Sequence, residues 1–190
     1  MGWLDWTATV LALVYVILAA RDTPWCWPFG MISCALWAWA SFYQYDLWLD
    51  AGLQLFYVVM GAVGLYRWIY GGQQGEGLPI TQGSWWDQWP YLLSGSVLAV
   101  VFGLLFSAYT PAAATYWDAF TTIFSVLATW LLVQRRIENW IYWIITDAIY
   151  VGLYYSRGAY LFAVLMCLYV IIAAGAWRNW RRLQLAEEAH

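Results

Sequence analysis

LDAGLQLFYVVMGAVGLYRW, residues 49–68, and LFAVLMCLYVIIAAGAWRNW, residues 161–180, are the two stretches that decide the fold. Each is a predominantly apolar run of roughly the length needed to cross ~30 Å of hydrocarbon as a helix. They also resemble each other at a constant offset. Leu49 matches Leu161, Ala51 matches Ala163, Tyr57-Val58 matches Tyr169-Val170, Ala62 matches Ala174 and Trp68 matches Trp180. The approach to each is aromatic, with Tyr43 in the place of Tyr155.

Working outward, five more apolar runs complete the set. In chain order the seven are Trp3 to Ala20, Phe29 to Tyr45, Leu49 to Tyr70, Tyr91 to Ala108, Trp117 to Val133, Asn139 to Tyr155 and Ala159 to Trp177. In lipid the backbone must satisfy its own hydrogen bonds, so each crossing is expected to be helical. The ~10-residue alternation of a membrane β-barrel is absent. Composition agrees: the chain is 64% apolar and 10% charged. A soluble domain carries about 25% charged residues to face water. The 17 tryptophans and 15 tyrosines suit the headgroup region. The first run lacks the basic flank of a cleaved signal peptide and reads as a retained helix.

The expected fold is an all-α membrane protein of seven transmembrane helices. If the third run repeats as the seventh, residues 1–70 form one three-helix repeat and 116–182 a second. The helix at 91–109 restores the direction between them. Two parallel triplets in a 3+1+3 plan follow, as in SWEET sugar carriers. Gly71 to Pro90, rich in glycine and polar residues, reads as a flexible cytoplasmic linker. Residues 183–190 read as a cytoplasmic tail, with Glu187 and Glu188 solvated.

All eight basic residues are arginine. With seven crossings, Arg21, Arg67, Arg135, Arg136, Arg178, Arg181 and Arg182 share one side and Arg157 lies on the other. The crowded side is expected to be cytoplasmic. The N-terminus is then outside and the C-terminus inside an inner membrane.

The sixth run carries the sharpest chemistry, Trp140-Ile-Tyr-Trp143-Ile-Ile-Thr-Asp147-Ala-Ile-Tyr150-Val-Gly-Leu-Tyr154. At ~100° per residue, Trp140, Trp143, Asp147 and Tyr154 fall within an arc of roughly 60°. A carboxylate at mid-membrane costs ~2.5–3.5 kcal/mol on insertion scales, so it should face protein and serve a purpose. A structural hydrogen bond or a protonated acid is the bland alternative. Beside indole faces, the group suits an organic cation through charge pairing and cation–π attraction. On the third run, Asp50, Gln54, Tyr57, Gly61 and Gly64 share a face. Gln54 and Tyr57 can hydrogen-bond hydroxyls or an amide, and the glycines permit close helix approach. Trp25, Trp27, Trp85, Trp86, Trp89, Trp177 and Trp180 lie near run ends, as aromatic belts would. Trp37 and Trp39 lie inside the second run, where one can line a cavity. Pro28 and Pro111 sit at run boundaries. Cys26, Cys34 and Cys167 show no metal spacing, and His190 is the only histidine.

Rival functions meet missing residues. An intramembrane enzyme lacks HExxH and any lysine for a Ser–Lys pair. A retinal photoreceptor needs a buried lysine. An ATP-driven pump needs GxxxxGK[ST]. An ion channel would sooner show a ring of charges. A proton-coupled transporter stays open, because Asp147 can bind a proton.

With these residues in view, the chain resembles the PnuC-type vitamin transporters, whose best-known members carry nicotinamide riboside. The likeness rests on W-x-x-W-x-x-x-N/D-x-x-x-x-x-x-Y, met by Trp140, Trp143, Asp147 and Tyr154. DAGLQLFYVVMGAVGLYRW at 50–68 and the Tyr154-Tyr-Ser-Arg-Gly158-Ala-Tyr160-Leu161 turn support it. It spans nearly the whole chain. It implies a 3+1+3 fold, alternating access and a central site, onto which the motif carries Trp140, Trp143, Asp147 and Tyr154; Tyr150, Gln54 and Tyr57 join them as candidate substrate-binding residues from the reading of the runs. It further implies facilitated diffusion, with a separate kinase trapping the product, and no cofactor or metal. The partners implied are a small vitamin and the lipid bilayer, with no nucleic acid; a homo-oligomer is compatible. Relatives in the family carry thiamine or riboflavin. Asp147 stands where other members have Asn, and the extra N-terminal helix of some members is missing.

Overall fold

The computed structural model describes residues 2–44, 48–109 and 115–189. Tyr45, Pro111 and His190 lie outside the described residues. Among the described residues seven α-helices follow one another: α1 (Trp3–Ala20), α2 (Cys26–Tyr43), α3 (Trp48–Tyr70), α4 (Trp89–Tyr109), α5 (Thr115–Val133), α6 (Asn139–Ser156) and α7 (Tyr160–Glu187). Two short 3₁₀ turns, Gln73–Gly75 and Trp85–Gln88, lie between α3 and α4. The only strand-like feature among the described residues is an isolated bridge between Thr81 and Arg136.

Among the described residues five helices, α1, α3, α4, α5 and α7, are long and apolar enough to cross a membrane. The other two, α2 and α6, are 18 residues long. Their tryptophans and tyrosines lower the mean hydropathy without making them foreign to a bilayer, where such rings settle at the interface. The outer faces are those of a membrane protein. Leu93, Val97, Val100, Leu104 and Leu105 stand exposed along α4, as do Val164, Leu168 and Ile171 on α7. A monomer in water does not tolerate so continuous an apolar surface.

The chain divides into two compact units. The first holds residues 1–80, with 133–135 and 178–190. Here α2 packs on both α1 and α3. Ser33 donates to the Ala8 carbonyl at 2.7 Å, tying α2 to α1. The glycines of α3 work as their spacing predicted: a Cβ on Gly61 would strike Met31, and one on Gly64 would strike the Trp27 indole. Asp50 accepts a hydrogen bond from Ser41, so it is anchored between α2 and α3.

The second unit holds 81–132 and 136–177. Its core gathers Phe124, Ala128, Leu131 and Tyr142. Phe120 stacks on Phe124 at 4.2 Å, and Phe124 on Tyr142 at 6.0 Å. Gly95 admits Leu127 and Phe124, and Gly103 admits Tyr116, where a Cβ would clash.

Four expectations need correction. Trp27 and Trp180 are not in an aromatic belt, being 2% and 0% exposed. They flank Trp68, with ring centroids 5.3 and 5.6 Å away, and the Arg135 guanidinium lies over Trp68 at 5.3 Å. Trp180 and Asn179 donate to the Ala19 and Ala20 carbonyls at 3.0 Å each. These are C-terminal carbonyls of α1 that have no partner within their own helix. By contrast Trp25, Trp85, Trp86 and Trp89 are exposed, as belt residues should be. Second, α2 begins at Cys26 rather than Phe29, because Pro28 falls in the first turn, where its missing N–H costs nothing. Third, the segment between α3 and α4 is docked rather than loose. Arg135 holds the Leu78 carbonyl, Ile137 N donates to Thr81 O at 3.0 Å, and Tyr142 donates to Gln88 at 3.2 Å. Glu138 takes the Gly83 N–H and pairs with Arg136. Fourth, α7 runs on to Glu187, which accepts from Ile80 N at 3.1 Å, so this residue is no free tail.

One backbone motif occurs twice. After α1, Thr23 N donates to Leu18 O, Cys26 N to Thr23 O and Trp27 N to Pro24 O. After α5, Arg136 N donates to Leu131 O, Asn139 N to Arg136 O and Trp140 N to Ile137 O. The corner residues are Asp22 at φ 56° and Arg135 at φ 52°, 113 residues apart. The same offset sets Trp27 against Trp140 and Cys34 against Asp147. Asp visits the left-handed region readily, whereas Arg does so only when its surroundings fix it. Here the two corner residues form an ion pair with each other. Burial pushes the Asp22 carboxyl above the usual carboxylate range, and Arg135 only partly offsets that rise.

Candidate functional site

The α6 helix starts from a buried base. Asn139 donates to the Arg136 carbonyl at 2.6 Å and is fully buried. Thr146 is also buried and turns its hydroxyl back to the Tyr142 carbonyl at 2.9 Å. That leaves the Trp140–Asp147–Tyr154 stripe to face other residues. Trp140 is 1% exposed and Asp147 7% exposed, while Trp143, Tyr150 and Tyr154 are half-buried. Tyr150 stacks on Tyr154 at 5.9 Å, and Tyr154 meets Phe162 of α7 at 5.5 Å.

Asp147 sits at the midpoint of α6. Among the described residues it makes no hydrogen bond and no ion pair, so the structural-hydrogen-bond alternative finds no partner there. Its electrostatic neighbours are the hydroxyls of Tyr150 and Tyr169. The Tyr150 hydroxyl lies near Thr121 of α5, whose own hydroxyl donates to the Trp117 carbonyl at 2.9 Å. Chemically, this is a buried acid with two tyrosine hydroxyls close by. It can hold a positive charge and hydrogen-bond what surrounds that charge.

Five of the seven residues picked from the sequence therefore share one helix in the second unit. The other two, Gln54 and Tyr57, lie on α3 in the first unit, both half-buried. There Tyr57 is within electrostatic range of Tyr15, which also neighbours Cys26 and Cys34. Sequence reasoning missed Thr121, Tyr15 and Tyr169. Tyr169 was findable, because it is the repeat partner of Tyr57. Thr121 and Tyr15 carried no signal that set them apart from packing residues. Elsewhere in the second unit, Gln88, Glu138, Trp85 and Trp177 border a hollow of about 30 Å³. That is room for about one water molecule.

Trp143 is the ring to test first, since unlike Trp140 it is only partly buried. Trp143→Ala is expected to weaken ligand binding by ~1–3 kcal/mol if stacking and cation–π contacts operate. Titration of purified variant and parent measures this. A fall in folded yield with unchanged affinity would make Trp143 a packing residue.

Comparison with known proteins places the geometry. Residues 2–182 match the family described as nicotinamide mononucleotide transporter. The riboflavin/roseoflavin transporter RibM of Streptomyces davaonensis is 24% identical over 181 residues, covering 94% of this chain and 84% of RibM. The nicotinamide riboside transporter PnuC of Escherichia coli is 23% identical over 206 residues, covering 95% of this chain and 85% of that one. The crystal structure of the vitamin B3 transporter PnuC superposes with a TM-score of 0.72 at 24% identity, over 97% of this chain and 83% of that chain. The fold is therefore shared with that structure. By the match across nearly its whole length, this chain belongs to the nicotinamide mononucleotide transporter family, a family of PnuC-type membrane carriers and not of enzymes.

Proposed function

We propose that the chain carries a cationic B-vitamin precursor, nicotinamide riboside foremost, across the inner membrane by facilitated diffusion. The observation that carries this reading is Asp147, a buried mid-helix acid with no protein partner among the described residues and with aromatic rings beside it. Nature rarely bears the cost of such a group without a use for it. A pyridinium ring supplies the missing positive charge. A mononucleotide would add a phosphate, and α6 offers no arginine or lysine to receive one. A neutral isoalloxazine, the ring of RibM's named substrate, would give the carboxylate nothing to pair with. Thiamine, through its thiazolium, is the second reading that Asp147 favours.

The finer architecture belongs to the same proposal. Seven crossings form two parallel triplets, residues 1–70 and 116–182, with 91–109 between them, 71–90 as a cytoplasmic linker and 183–190 as a cytoplasmic extension in which α7 continues to Glu187. The N-terminus is outside and the C-terminus inside. Trp140, Trp143, Asp147, Tyr150, Tyr154, Gln54 and Tyr57 bind the substrate. Alternating access moves it, and a separate kinase traps it. The twice-built turn and the matching third and seventh runs support the repeat.

The test is a parallel binding titration of purified protein with nicotinamide riboside, thiamine and riboflavin. Binding of riboflavin alone would overturn the cation reading. For mechanism, collapsing the proton gradient across loaded vesicles is expected to leave the initial uptake rate unchanged. A rate that falls with the gradient would instead make Asp147 a proton carrier.

A further inference from the structure

The Tyr154–Phe162 ring contact fixes the register between α6 and α7, which the turn at 157–159 joins. In such a hairpin the chain runs back on itself. Stepping two turns down α6 from Tyr154 reaches Asp147, and two turns up α7 from Phe162 reaches Tyr169. Both steps are seven residues, roughly 10 Å, and return to the same helix face. Asp147 and Tyr169 must therefore oppose each other, and their hydroxyl and carboxyl are indeed electrostatic neighbours. Of the two tyrosines beside Asp147, Tyr150 also lies near Thr121 and Asp118, whereas Asp147 is the one charged neighbour of Tyr169, which has no hydrogen-bond partner among the described residues.

An ionised carboxylate only accepts hydrogen bonds, whereas a phenol donates one. Together they offer complementary functions on facing helices. We infer that Tyr169 is a specificity-determining residue of this carrier, donating a hydrogen bond to an acceptor on the same cationic ring that Asp147 holds. The ligand class is thus narrowed to a heteroaromatic cation bearing a ring-attached acceptor, such as a carboxamide oxygen. An otherwise identical cation without that acceptor binds through Asp147 alone. This inference rests on the cation-carrier reading above and adds a residue and a chemical requirement to it.

The experiment compares two probes on the purified full chain: nicotinamide riboside, and pyridine riboside, the same cation without its carboxamide. Tyr169→Phe keeps the ring and removes the donor. It is expected to weaken nicotinamide riboside about 3- to 10-fold, the worth of one hydrogen bond, and to leave pyridine riboside unchanged. Unchanged binding of the second probe also certifies that the variant is folded. Equal weakening of both probes, or of neither, overturns the donor role. Asp147→Ala separates this failure from that of the reading beneath it. If Asp147→Ala weakens both probes while Tyr169→Phe alters neither, only the role of Tyr169 falls. If Asp147→Ala changes neither probe, or the parent protein binds neither, the cation-carrier reading falls with it.

Discussion

Asp147→Ala should abolish measurable binding of nicotinamide riboside while leaving the protein as easy to insert as before, or easier. The two effects have one cause. A mid-membrane carboxylate costs ~2.5–3.5 kcal/mol on insertion scales, and Asp147 recovers none of that through a hydrogen bond or ion pair among the described residues. Its removal thus relieves the empty protein. In the loaded protein the same removal strands a buried cation. Losing one partner of a buried charge pair costs about 2–5 kcal/mol, which is about 30-fold in affinity at the low end. Asp147→Asn keeps shape and hydrogen bonding and drops the charge, so it should fall between parent and alanine variant. The measurement is a titration beside thermal unfolding in detergent. Affinity within twofold of the parent would remove the acid from the site. A large drop in thermal midpoint would reveal a structural role instead.

Asp22→Asn should produce the largest loss of stability among single changes away from the α6 stripe. Asn tolerates φ near +56° about as well as Asp, so the backbone at the corner is spared. The change acts on Arg135, whose Nε donates to Asp22 at 3.0 Å and whose guanidinium also holds Leu78 and covers Trp68. The pair as a whole is no great source of stability, since burial raises the energy of the ionised Asp22. Removing one partner is a different matter, because it leaves a buried charge uncompensated. The Arg135 and Asp22 side chains are 13% and 11% exposed, so the lower end of the usual range applies, about 3 kcal/mol. Thermal or denaturant unfolding in detergent reads this out. An unchanged midpoint would mean that water already solvates Arg135.

The helices were legible because lipid makes length and apolarity almost sufficient evidence. Runs such as Tyr91 to Ala108 needed only one or two residues of adjustment, here to Trp89–Tyr109. The α6 stripe was legible because an acid among indoles is costly and therefore conspicuous. What escaped was everything decided by contacts distant in sequence. Trp27 and Trp180 look like belt residues by position, and only the Trp27–Trp68–Trp180 stack shows that they are core. The linker looked loose because glycine and glutamine signal flexibility. Its order comes from Arg135, Arg136 and Glu138, more than fifty positions away in the chain. Tyr169 stood out in the sequence only as the match of Tyr57, and its place beside Asp147 is a contact between helices.

The corner that follows α1 and the corner that follows α5 trace one path with an acid at one apex and a base at the other. A scaffold that survives such an exchange is insulated from its own decoration. Tandem copying of a half-length ancestor would account for both corners, after which each copy was free to drift. At the same offset from the two corners stand Cys34 in α2 and Asp147 in α6. If the two corners are such copies, a few rewritten side chains would suffice to change what the chain carries while the main chain that presents them stays the same.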